Sequence, residues 1–248
     1  MRRRHRPLVL GVAVTVGVPA ATVMPSAAAP SADRTSPKPT VVLVHGAFAD
    51  ASGWSGVVSR LKKAGYPVVA PANPLRGLQS DSAYLSSLLG TIDGPKIVVG
   101  HSYGGAVITE AAASVPEVKA PVYVAAFMPD KGDVLGELAN RFPGSELNPA
   151  LEALPDGGGR HDVAIKPDKF HDVFAADLPR STTSVLAVSQ RPVNVGAFES
   201  TARAAAWRTI PSWFLGPPRT RPSPPRWSAS RRSGRARTRS RSTPRTWR

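Results

Sequence analysis

The chain contains no cysteine. No disulfide can staple it, no thiol can serve as nucleophile, and no thiolate can hold a metal. No internal repeat runs through it, and nothing in it suggests a metal or an organic cofactor. The C-terminal part lacks more. No acid follows Glu199 and no histidine follows His171. From Gly216 to Arg248 only Gly, Pro, Arg, Thr, Ser, Ala and Trp occur, with no lysine and no apolar period. Such a segment cannot bury enough surface to fold alone, so residues 216–248 are expected to form a disordered basic tail.

What is present is long enough for one sizeable domain. The net charge of +15 invites a nucleic-acid reading. Its distribution argues against one. Arg2, Arg3, Arg4 and Arg6 precede an apolar run, and eleven arginines lie in the tail. The seventeen basic residues between them are balanced by all seventeen acids. No nucleic acid is therefore expected as a selected partner. A binder of anionic polymers through the arginine tail is the weakest of three functional readings, and its binding would fall steeply with salt.

The front end has the layout of a secretory signal. "MRRRHRP" is a positive segment, "LVLGVAVTVGVPAATVM" an apolar one, and "SAAAPSA" offers cleavage after Ala29 or Ala32. Residues 1–32 are thus expected to be a signal peptide of a secreted protein. The alternative is a membrane anchor, but the run holds proline and barely reaches the ~20 residues needed to span a bilayer.

Residues 33–215 read as the folded domain. "TVVLVHGA" (Thr40–Ala47) is a β-branched run ending in glycine, which suits a strand buried on both faces. Trp54, Val57, Val58 and Leu61 fall on one helical face, and Gly65 ends that helix. "YPVVAPANP" predicts a second strand. Tyr84, Leu85, Leu88 and Leu89 mark a second helix, with Ser80 or Asp81 as N-cap. "KIVVGHS" (Lys96–Ser102) is a third strand, "GGAVITEAAAS" a helix, "APVYVAAFM" (Ala120–Met128) a fourth strand and "TIPSWFL" (Thr209–Leu215) a fifth. The alternation predicts an α/β fold with a parallel sheet. Residues 129–198 interrupt it with loops and helices near Lys169–Asp177 and Thr182–Ser189. An insertion there is expected to cap the strand ends, where ligands bind.

"GHSYG" (Gly100–Gly104) carries the chemistry. It matches G-x-S-x-G, follows an apolar strand and opens a helix, as that motif requires. A sharp turn would lift the Ser102 hydroxyl out of the sheet top. Gly100 and Gly104 would keep Cβ atoms out of the turn, and the helix N-terminus would aim N–H groups at a developing oxyanion. "VHGAF" (Val44–Phe48) ends the first strand. Its His45-Gly46 turn would present the Ala47 N–H toward the serine, with the Tyr103 N–H as second donor. His45 is expected to brace the turn, and His101 to point away from its neighbour's hydroxyl.

The stretches "VLVHGAFADASGW", "VGHSYGGAVI" and "VYVAAFMPD" resemble the α/β-hydrolase superfamily, in particular the small, capped, esterase-like members akin to hydroxynitrile lyases. The resemblance covers residues 40–215. It implies an α/β-hydrolase core with a helical cap, and a serine hydrolase that transfers the acyl group of a small ester to water through Ser102. Ala47 and Tyr103 would be the oxyanion donors. It also implies an Asp after "IPSWFL" and a His one strand later, and this sequence has neither.

A serine hydroxyl is a poor nucleophile without a base, and the base needs an orienting carboxylate. Downstream of the elbow only His161 and His171 are available. His161 sits beside a glycine-rich loop and is expected to face solvent, and His171 lies on an amphipathic helix. Asp130, just after the fourth strand, has no histidine to orient and is expected to serve a cap or turn. The chain is therefore expected to be inactive or strongly impaired. The second functional reading is a non-catalytic remnant that still binds small acyl or carbonyl compounds. Phe142, Phe170 and Phe174 suggest a modest apolar pocket for it.

The tail has the composition of GC-rich DNA read out of frame. Arg239–Trp247 can be encoded so that a start one base earlier spells Thr-Val-Glu-Val-Asp-Ala-Ser-His-Val, a strand ending in a Ser-His turn. The same shift over Arg219–Ser230 supplies an Asp shortly after "IPSWFL". A frameshift near Leu215–Arg219 is inferred. The last strand and helix would then be missing, the fifth strand would be an open edge, and the product would be marginally stable and prone to aggregate.

Overall fold

A computed structural model describes residues 37–141, 144–155, 157–159, 161–216 and 237–238. The expected signal peptide, Phe142 and most of the basic tail lie outside the described residues.

The strand runs and helical stripes fold as an alternating α/β core. In chain order it comprises β1 (Thr40–Val44), α1 (Ser55–Lys63), β2 (Val68–Val69), α2 (Leu78–Gly90), β3 (Lys96–His101), α3 (Tyr103–Ala111) and β4 (Val118–Val124). After an insertion comprising α4 (Leu135–Asn140), β5 (Leu151–Pro155), β6 (His161–Ile165), α5 (Pro167–Phe174), α6 (Arg180–Ser189), β7 (Val193–Asn194) and α7 (Gly196–Glu199), the chain returns as β8 (Trp213–Leu215). The main sheet has the order β2-β1-β3-β4-β8, with every pairing parallel. β1 and β3 are central. Val42, Leu43 and Val98 are fully buried there, which is why these segments read as near-continuous apolar runs.

Local chemistry explains the helix ends. The Trp54, Val57, Val58 and Leu61 stripe of α1 is half-buried, and Gly65 adopts φ +76 just beyond the helix. α2 departs from the expected cap. It begins at Leu78, with Gly77 as N-cap, and neither Ser80 nor Asp81 occupies that position. Asp81 lies within the first turn, and its Oδ1 accepts the Arg76 N–H at 3.1 Å. The carboxylate reaches back to a helix-terminal donor from inside the helix, a role that the sequence pattern does not separate from an N-cap.

The insertion contains the two expected helices, α5 and α6, and also a three-stranded antiparallel sheet in the order β5-β6-β7. Residues 157–159 are the glycines between β5 and β6. A hairpin signal was thus present, in strands too short to show a clear alternation. Arg76 fastens this sheet to the core. Its guanidinium meets Asp162 Oδ1 at 3.0 Å and Oδ2 at 2.9 Å, while the Asn194 N–H donates to the Leu75 carbonyl at 2.9 Å.

At the far edge, two tail residues, Arg237–Thr238, form β9 and pair in parallel with Trp213 and Phe214. The edge expected to be open therefore carries two residues of pairing. Among the described residues no helix follows β8, and Leu215 stays half exposed. No helix among the described residues is long and apolar enough to cross a membrane.

Candidate active site

Ser102 stands alone between the end of β3 and the start of α3, at φ 50 and ψ −123. A non-glycine residue held at such a conformation stores strain of roughly 1–3 kcal/mol and persists only where its surroundings fix it. Here the Ser102 carbonyl accepts the N–H groups of Gly105 and Phe127, each at 3.0 Å. The turn is crowded on every side. A Cβ on Gly100 would lie 2.5 Å from the Gly104 carbonyl oxygen, and one on Gly104 would lie 2.5 Å from that of Val44. A Cβ on Gly46 would lie 2.8 Å from Ser102 Cβ. The turn after β1 is therefore pressed directly against the serine.

His45 is buried beneath that turn. Its Nδ1–H donates to the Gly46 carbonyl at 2.9 Å, and its Nε2 accepts the Asn73 N–H at 2.9 Å. The second contact fixes the tautomer, since a backbone N–H can only donate. Burial lowers the His45 pKa, although the bond to Gly46 opposes the shift. Both nitrogens are committed to the backbone, and the ring braces the loop.

Ala47 lines the same cavity as Ser102. Tyr103 opens α3, so its N–H belongs to the free first turn of that helix. Its side chain runs into the core, where the hydroxyl donates to Asp81 Oδ2 at 2.7 Å. Burial, reinforced by that carboxylate, raises the Tyr103 pKa, so the phenol stays neutral. Asp81 thus anchors the residue that follows Ser102, a link that sequence reading missed because nothing in either local pattern points to the other.

The remaining histidines among the described residues are dispersed. His101 is lowered in pKa chiefly by burial and secondarily by His45. His161 is exposed at the start of β6. His171 Nδ1 lies 3.1 Å from Thr183 Oγ1. Among the described residues no imidazole bonds the Ser102 hydroxyl. Asp130 forms an ion pair with Arg208 and accepts the Lys131 N–H at 3.0 Å. It acts in a surface turn.

Ser102 opens into a cavity of about 980 Å³ between the core and the inserted cap. This corrects the expectation of a modest pocket. The lining includes Phe48, Phe127, Phe174, Phe198 and Phe214. Phe170 is not among them. It is buried behind Phe174, with ring centroids 4.9 Å apart. Phe48 and Phe127 lie in stretches already quoted for their likeness to known motifs, whereas Phe198 carries no local signal.

Comparison with known proteins gives a consistent answer. A family model described as the alpha/beta hydrolase family matches residues 41–246. A carbendazim hydrolyzing esterase from Nocardioides sp. (strain SG-4G) is 35% identical over 166 residues, covering 62% of this chain and 65% of that protein. The chain therefore spans just under two thirds of that relative. An extracellular alpha/beta-hydrolase from a Paenibacillus species superposes with a TM-score of 0.60 at 23% identity, covering 72% of this chain and 77% of the other. Tomato methylketone synthase I superposes with a TM-score of 0.67 at 17% identity, covering 82% and 89%. At these identities the two structures speak to the fold alone.

Proposed function

Because the chain belongs to the alpha/beta hydrolase family, we propose that it is a serine hydrolase of esterase type, with Ser102 as nucleophile and the N–H groups of Ala47 and Tyr103 as oxyanion donors. The observation that carries this reading is the strained Ser102 turn at a cavity wall. In the reaction, Ser102 Oγ attacks the ester carbonyl carbon and loses its proton. The carbonyl oxygen takes up the negative charge against the two N–H groups. The proton passes to the leaving oxygen, so that the ester C–O bond breaks and the alcohol departs. Water then cleaves the acyl-serine to the acid and restores the Ser102 hydroxyl. The esterase named among the relatives supports ester chemistry.

The proton is the difficulty. No imidazole meets the hydroxyl among the described residues, and no histidine or acid occurs after β8. We read the chain as an impaired hydrolase whose tail is translated one base out of register. The nucleotide sequence around the Leu215 codon tests this directly: codons that give no strand and Ser-His turn in the neighbouring frame would remove the frameshift.

A fluorophosphonate probe tests the nucleophile. It should label the intact chain slowly and at Ser102, and leave Ser102→Ala unlabelled. Labelling elsewhere, or none, would favour the second reading, a binding remnant. That reading has its own support in a cavity walled by core and cap while its serine lacks a base among the described residues.

A further inference from the structure

The sheet order places β3 between β1 and β4. The segments that leave β1 and β4 must therefore pass on opposite sides of Ser102. Both touch it: Gly46 abuts its side chain, and the Phe127 N–H bonds its carbonyl. Each segment also carries a phenylalanine into the cavity, Phe48 on one side and Phe127 on the other.

The cap supplies a second ring to each. Phe174 of α5 meets Phe48 edge to face, with centroids 6.2 Å apart and planes at 88°. Phe198 of α7 meets Phe127 with centroids 6.4 Å apart and planes at 71°. The serine thus sits between two aromatic corners, each built from one core ring and one cap ring. Such corners offer faces and edges for a further ring to pack against. Among the described residues, the charged ones lining the cavity are Arg141 and Glu199, both exposed.

Resting on the esterase reading of Ser102, we propose that the site takes uncharged esters bearing an apolar, ring-containing group on each side of the carbonyl. The acyl ring occupies one corner and the alcohol ring the other, with the carbonyl carbon at Ser102. The cavity volume lies at the upper end of the range for ligands of drug size and leaves ample room for a two-ring ester.

The test is equilibrium binding to the full chain carrying Ser102→Ala, which removes turnover from the measurement. The probes are phenyl benzoate, methyl benzoate and phenyl acetate. Phenyl benzoate is expected to bind at least about fivefold more tightly than either one-ring ester, a conservative figure for burying one further ring. A smaller gap, or no binding of phenyl benzoate, overturns the proposal. Phe174→Leu and Phe198→Leu, each in the same Ser102→Ala background, should separate the corners. One should weaken methyl benzoate, the other phenyl acetate, and both should weaken phenyl benzoate. Equal weakening of both one-ring esters by either change also overturns it. Fluorophosphonate labelling of the Ser102 form reports on the esterase reading separately. Labelling without the binding order defeats this inference alone, and the binding order without labelling defeats only the esterase reading.

Discussion

Gly46 and Ser102 are so close that a methyl group on the first would lie 2.8 Å from Cβ of the second and 3.3 Å from its Oγ. No flexible side-chain end is available to yield, because the neighbour is a residue already held in strained backbone. Gly46→Ala should therefore destabilise the fold by about 1–3 kcal/mol, the usual cost of overpacking. Gly56 is the control: it lies in α1, and a methyl group added there would meet nothing within 4 Å. Gly56→Ala should stabilise by roughly 0.5–1 kcal/mol. Urea midpoints at constant m-value read both changes. An unchanged midpoint for Gly46→Ala would show that the β1 turn is not packed against the serine.

His45 predicts a pH dependence. Its neutral ring accepts the Asn73 N–H, and protonation would set two donors against each other. Burial holds its pKa below the ordinary 6.5, and burial lowers His101 as well. Between the folded and unfolded pKa values the unfolded chain binds more protons, so stability rises with pH there. The contribution is complete above about 6.5 and is lost as pH falls through the folded value. Denaturation midpoints followed downward from neutral pH should fall, and the His45 ring signals should report a neutral imidazole below 6.5. A midpoint that holds or rises across that window would contradict the assignment.

The contact between Arg76 and Asp162 fastens the cap sheet to the loop before α2. Arg76 is half exposed, with 47% of its side chain open to solvent against 15% for Asp162. The Asp162 carboxylate also accepts from Asn194 Nδ2 at 3.0 Å. Asp162→Ala should cost about 1 kcal/mol, below the usual range for charged hydrogen bonds because of that exposure. The loss should be local. Amide exchange should quicken in β5, β6 and β7 and stay unchanged in β1 and β3. Uniform acceleration would mean that the cap and core open together.

The elbow was legible in the sequence because its requirements are local. A β-branched strand, a serine between glycines and a helix follow one another within "KIVVGHSYGGAVITEAAAS", and sterics dictate the rest. The parallel core was legible for a similar reason, since Val42, Leu43 and Val98 belong to unbroken apolar runs. The cap sheet was missed because β5 and β6 each have only five residues, with Glu152 and Asp162 diluting the alternation. The aromatic corners were missed for a different reason. They join residues far apart in the chain, such as Phe127 with Phe198, and no window around either contains the other. Asp81 with Tyr103 is the same case: a capping signal was visible, while the phenol that gives the carboxylate its second role lay one strand away.

Ester turnover should be limited by proton removal from Ser102, because no imidazole meets its hydroxyl among the described residues, and this can be tested by supplying a base. Loss of triad members lowers turnover on the order of 10⁴- to 10⁶-fold, leaving what the oxyanion donors and binding provide. With p-nitrophenyl acetate the intact chain should therefore run close to background. Free imidazole small enough to enter the cavity can take the Ser102 proton as the hydroxyl attacks and p-nitrophenolate leaves, and pass it to solvent. It can then take a proton from the water that attacks the acyl-serine and return it to Ser102 Oγ as the acid is released. The rate should then rise with imidazole concentration beyond the solution reaction of imidazole itself, and Ser102→Ala should show only that solution reaction. Equal imidazole dependence in the two proteins would mean that the hydroxyl is not the nucleophile. Brisk turnover by the intact chain without imidazole would mean that a base reaches Ser102 after all.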